Sequence, residues 1–399
     1  MDAGQDDRHR ARALRLELGS ATIFGNGNGN PDAAASLASD RTLRTLPPPA
    51  RVPLLVLGFV ALVVGTLAGL ARLGYTMPTV ASSASALHGP LMICGFFGVV
   101  VALERAVAIG RLWAYGASLL AGIGTVAALA GAMAPGAWLF VAGSLVLLAA
   151  TIDVFRRQIA LFTFTLTTGA LCWVVGNALW AAGASVYMVV TWWLAFLILT
   201  IAGERLELSR FLPPSPVATR VFAATLLVIA AGLAGARSAW GTPVFAAGLL
   251  ALAAWLGKQD IARRTVRGEG LTRYIAVCLL SGYVWLAVGG AVMLGAGGLT
   301  PGSPSYDAAL HALALGFVFS MVFGHAPIIF PAVLRVAVPY HPSFYVPLAL
   351  LHLSLAARLA GDAAGQFEWT RIGAMGNALA LVAFIVGTAT AVVRSRRRG

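Results

Sequence analysis

Charge is what this chain has least of. Only 11% of its 399 residues are charged and only 15 are acidic, against about a quarter charged in a soluble domain. A water-exposed globular surface is thereby excluded. Lysine occurs once, at Lys258. The three cysteines, Cys94, Cys172 and Cys278, each stand alone inside an apolar run. That excludes a disulfide framework, a thiolate metal site and any CxxCH attachment. No P-loop, dinucleotide-binding glycine turn, serine nucleophile elbow or HExxH is present, so the common soluble catalytic motifs are missing too.

What fills the chain instead is hydrocarbon: 59% hydrophobic residues and a mean hydropathy of +0.84. From residue 52 onward, apolar stretches recur, each long enough to cross about 30 Å of hydrocarbon as a helix. They fall near 52–72, 82–103, 113–134, 137–155, 160–182, 186–203, 217–236, 241–257, 272–295, 306–329, 343–360 and 370–393. The sequence therefore predicts an all-α polytopic membrane protein of about twelve transmembrane helices. Residues 1–51, rich in Arg, Asp, Gly and Asn, read as a disordered tail with a short helix around 10–18. Residues 394–399 read as a second, basic tail.

The net charge of +13 invites a nucleic-acid reading, but its distribution excludes one. With a cytoplasmic N-terminus, all but four of the 28 basic residues lie in the tail or in loops after even-numbered spans. The exceptions are Arg72, Arg237, Arg358 and Arg371. This is the positive-inside pattern, and it predicts both termini in the cytoplasm of an inner or plasma membrane.

The spans also repeat. Span 1 (GFVALVVGTLAGL), span 5 (GALCWVVGNALWAAG) and span 9 (GYVWLAVGGAVMLGAG) are alike, and spans 3, 7 and 11 share a second pattern. Span 2 ends in ALER, span 6 in AGER, and span 10 reaches GHAP at the matching place. The expected architecture is three pseudo-equivalent four-helix repeats, over about 52–155, 160–257 and 272–393.

Ionisable residues at membrane depth are costly and need partners. His88 opens span 2 and His311 opens span 10, at equivalent positions and similar depth, among small residues (Ser85, Ala86, Gly89; Ala308, Ala309, Ala312). Two imidazoles on separate helices supply both axial positions of a haem iron. The blander reading makes each a hydrogen-bonding histidine between helices. Asp307, one turn before His311, is placed to tune that ligand. His325 lies 14 residues beyond His311, on nearly the same face of a straight helix, with Pro327 and Pro331 closing the run. Glu104, Glu204 and His325 occupy equivalent inner positions and read as a ring beside Arg105 and Arg205. A second haem would need His352, in span 11, as partner for His325. Asp153 and Asp260 read as solvated pairs with arginines at helix ends, and Asn177 as an interhelical hydrogen-bond group.

Twelve spans in three sets of four, with a histidine early in span 2 and another early in span 10, resemble subunit I of the haem-copper oxidase superfamily. The stretch His88-Gly-Pro-Leu-Met-Ile is similar to that family's span 2 motif. The resemblance implies that His88 and His311 ligate one low-spin haem towards the outer leaflet. Two departures limit it. Spans 6 and 7 contain no histidine where the family ligates copper, and His311-Ala312-Leu313 stands where the oxidases carry His-x-His. No copper and no oxygen-reducing centre are therefore expected. A looser likeness is to NnrS-type proteins, also twelve-span and haem-bearing.

The leading expectation is a membrane protein binding one haem b, in electron transfer or in gas or haem handling, with a redox partner or another membrane subunit. The alternatives are a cofactor-free permease gated by Glu104, Glu204 and His325, and a purely structural subunit.

Overall fold

The computed structural model describes residues 45–209 and 214–396, and all that follows belongs to the unit Leu46–Gly399. The expected tail as far as residue 44, with its short helix, lies outside the described residues, as do the last three residues.

Among the described residues twelve helices are long and apolar enough to cross a membrane: α1 (Pro48–Arg72), α2 (Ser85–Ile109), α3 (Leu112–Leu129), α4 (Met133–Arg157), α5 (Leu161–Ala181), α6 (Val186–Leu208), α7 (Pro216–Ala234), α8 (Gly241–Gln259), α9 (Gly270–Gly295), α10 (Pro304–Leu334), α11 (Pro342–Ala364) and α12 (Phe367–Ser395). No strand occurs among the described residues. In hydrocarbon the backbone must satisfy itself within each segment, so long apolar runs become helices. The chain is an all-α polytopic membrane protein.

Burial follows a period of four helices. The apolar windows of α2, α6 and α10 are 61%, 67% and 67% buried, against 28–50% for the others. These three form the centre, and their neighbours in sequence wrap them. The wrap closes where α1 meets α12: Leu70 packs with Ala374 and Ala378, and the Tyr75 hydroxyl donates to the Arg371 carbonyl at 3.1 Å. Around α6 the packing is aromatic, with the Trp173 and Phe196 rings stacked at 4.9 Å. Asn177 ties four helices together. It accepts from Cys94 Sγ (3.1 Å) and Trp193 Nε1 (2.9 Å) and donates to the Phe140 carbonyl (3.0 Å). The interhelical role expected for Asn177 is what the geometry shows.

Four sequence expectations need correction. First, α1 begins at Pro48, inside the expected tail. Arg51 is buried in its first turn, donating to the carbonyls of Leu46 and Val333 at 2.8 and 2.7 Å, which holds the start of α1 against the end of α10. Second, Pro327 and Pro331 do not close α10, which runs on to Leu334 and stops at Arg335, a residue with φ of 55°. Proline is tolerated inside a membrane helix when neighbouring helices support the freed backbone. Third, Asp260 is not solvated: it is buried in a bidentate pair with Arg205, at 2.7 and 3.2 Å. Fourth, α10 is not a straight helix between His311 and His325.

Candidate functional site

The fourth correction concerns local backbone. Residues 91–97 of α2 and 312–319 of α10 are wound as π-helix, beginning three residues after His88 and one after His311. Such wide turns are rare and concentrate at functional sites. They widen each helix just beyond its histidine and rotate everything downstream relative to a straight α-helix. The spacing of 14 therefore does not keep His325 on the face of His311. Helix α6, the third central helix, has no such segment.

The two histidines face each other, with ring centroids 6.2 Å apart and planes inclined by 22°. His88 Nδ1 lies 2.7 Å from the Gly65 carbonyl of α1. His311 Nδ1 lies 2.8 Å from the Asp307 carbonyl and 3.2 Å from Asp307 Oδ1. A carbonyl oxygen can only accept, so each Nδ1 carries a hydrogen, and in the neutral ring the lone pair then sits on Nε2. This is the tautomer of a metal-ligating imidazole whose other nitrogen is held by the protein. Behind His311, Arg358 grips both oxygens of Asp307, Nε to Oδ2 at 2.7 Å and an Nη to Oδ1 at 2.8 Å. Behind His88, Gly69 leaves bare space: a Cβ there would sit 2.8 Å from two ring atoms.

Both rings line a cavity of about 360 Å³ between α1, α2, α6, α10, α11 and α12, within the range of cofactor sites. Its floor is aromatic, where Phe97 and Phe319 meet at 5.1 Å and Phe96 stacks on Phe319 at 5.8 Å. Its mouth carries Arg72, Tyr306 and Asp362. Arg72 and Arg358, two of the four basic residues that break the arginine asymmetry, both line it. That exception was the sequence signal for them. Gly65 and Gly69 had none, because a GxxxG spacing reads as helix packing.

The remaining expected site residues lie elsewhere and are engaged. His325 donates through Nδ1 to the Met321 carbonyl at 2.7 Å, and its Nε2 faces Arg205 at 3.4 Å. Tyr283 completes this cluster by donating to Asp260 at 2.7 Å. Glu204 pairs with Arg105 at 3.6 Å, with Glu104 close enough to interact electrostatically. His352 accepts from Trp285 Nε1 at 2.9 Å through its Nδ1. The structure therefore brings His88 and His311 together and does not pair His325 with His352.

Fold and site define a twelve-helix membrane protein with a paired-imidazole cavity between its central helices. A family model described as a domain of unknown function, DUF8744, matches residues 51–393, and the chain belongs to that family. No curated protein and no solved structure matches it.

Proposed function

We propose that the chain is a haem-binding membrane protein that holds one b-type haem between His88 and His311, serving electron transfer or gas or haem handling without an oxygen-reducing centre. The observation that carries this reading is the facing pair of imidazoles, each presenting a free Nε2. A metal held about 2 Å from each of two imidazole nitrogens puts the ring centres about 6 Å apart, which is the spacing seen. Among the described residues no group of three or more His, Cys, Asp or Glu side chains is placed to hold a metal ion. Two protein ligands suffice where the group brings its own equatorial nitrogens, which favours a porphyrin over a bare ion.

Bound there, the haem would supply a one-electron couple or an iron centre. The chain's residues do the rest. Gly65 and Asp307 orient the imidazoles, and Arg358 fixes Asp307 so that its carboxylate strengthens His311 as a donor. Phe97 and Phe319 keep water from the floor. Arg72 offers positive charge at the mouth to an occupant that carries carboxylates.

The test is the visible spectrum of the purified protein. A Soret band with bis-imidazole character is expected, lost in His88→Ala and in His311→Ala and retained in His341→Ala, whose exposed ring meets Ser343 in the loop before α11. Folded protein without Soret absorbance after haem supplementation overturns the reading.

A further inference from the structure

A second cavity, of about 490 Å³, lies at the arginine-rich end of the bundle, opposite the end that holds His88 and His311. It is a groove between the start of α9 and the loop leading into α11, lined by Glu269, Gly270, Arg273, Val277, Tyr340 and Tyr345. Glu269, the extended residue that precedes α9, and Arg273, in the first turn of α9, carry opposite charges close together in sequence. Yet neither side chain makes an ion pair or a hydrogen bond among the described residues. Each presents its charge to the groove instead of to the other.

The aromatic wall is preformed. Tyr274, fully buried behind it, meets Tyr345 edge-on at 5.2 Å and Tyr340 at 6.2 Å, and Phe344 meets Tyr340 edge-on at 6.2 Å. The bare Gly270, at φ of 57°, turns the chain into α9 without a side chain over the groove. Val277, one turn further along α9, continues the groove towards the apolar belt, where Val346 is 64% exposed.

We propose that this groove binds the headgroup of a zwitterionic aminophospholipid. Arg273 takes the phosphate, for which guanidinium is well suited. Glu269 accepts from the primary ammonium, which lies against the tyrosine faces. The acyl chains then leave past Val277. A free phosphate would leave Glu269 uncompensated, and an anionic phosphoglycerol headgroup would place its negative charge without an ammonium for that carboxylate. A quaternary choline has no N–H to donate. The site therefore selects phosphatidylethanolamine over phosphatidylglycerol and phosphatidylcholine.

The experiment is native mass spectrometry of the delipidated full-length protein, titrated separately with each of these three lipids. One phosphatidylethanolamine adduct retained several-fold more than the other two is expected. Glu269→Gln should erase the preference over phosphatidylglycerol while still binding phosphate headgroups, and Arg273→Gln should lose the retained adduct. Both side chains are exposed, so both variants fold, as an unchanged thermal transition would verify. Equal retention of all three lipids, or a preference for phosphatidylethanolamine that survives both substitutions, overturns the proposal.

Discussion

A Cβ on Gly69 would lie 2.8 Å from both Cε1 and Nδ1 of His88, whereas one on Gly89, the residue after His88, would meet Val186 at 3.5 Å beyond its own chain neighbours. The first contact is closer than side chains approach and the second is ordinary. The two glycines thus separate a positional requirement from a tolerated vacancy. Gly69→Ala should push the imidazole off the Gly65 carbonyl and release the ring from its tautomer and direction. On the haem reading, that variant retains markedly less Soret absorbance per protein than the parent, while Gly89→Ala retains it. Equal haem content in the two variants would show that the seat of His88 does not depend on Gly69.

Ion pairs at the arginine-rich end differ in burial, and that difference decides their worth. Glu204 and Arg105 stand 3.6 Å apart with their side chains 27% and 15% exposed, so losing that pair costs less than losing a fully buried one. The Asp260 side chain is 1% exposed and Arg205 5%. The same carboxylate also accepts from Tyr283 and from the Ala262 amide, each at 2.7 Å. Breaking a buried pair from one side strands the other charge and costs about 3–5 kcal/mol. Asp260→Ala should therefore lower the thermal unfolding temperature in detergent strongly, and Glu104→Gln or Glu204→Gln only slightly. The cluster clamps α6 to the end of α8, to α9 and, through His325, to α10. Comparable losses in all three variants would mean that burial does not set the order.

For the molecule as a whole, arginine placement makes the sharpest prediction. Twelve helices return the chain to the side on which it started, and the basic residues gather at that side. A C-terminal reporter active only outside the cytoplasm should stay silent, and the same reporter in the loop between α9 and α10 should be active. A strong external signal from the C-terminus would overturn the expected orientation.

Much of this was legible in the sequence because the controlling physics is local. Hydrocarbon thickness and backbone self-satisfaction turn each long apolar run into a helix. A four-span periodicity in small and charged residues marked spans 2, 6 and 10 as equivalent, and these are the most buried helices. His88 and His311 could be paired on the page because matched depth on equivalent helices needs no coordinates. The tertiary structure decided the rest. The π-helical turns after each histidine, the glycine seat behind His88, the Arg358 clamp on Asp307 and the burial of Asp260 all depend on what a neighbouring helix brings to the same point. A side chain's periodicity fixes its own helix face. Its environment is set by residues distant in sequence, so Asp260 beside arginines read as solvated until α6 and α9 were seen to close over it.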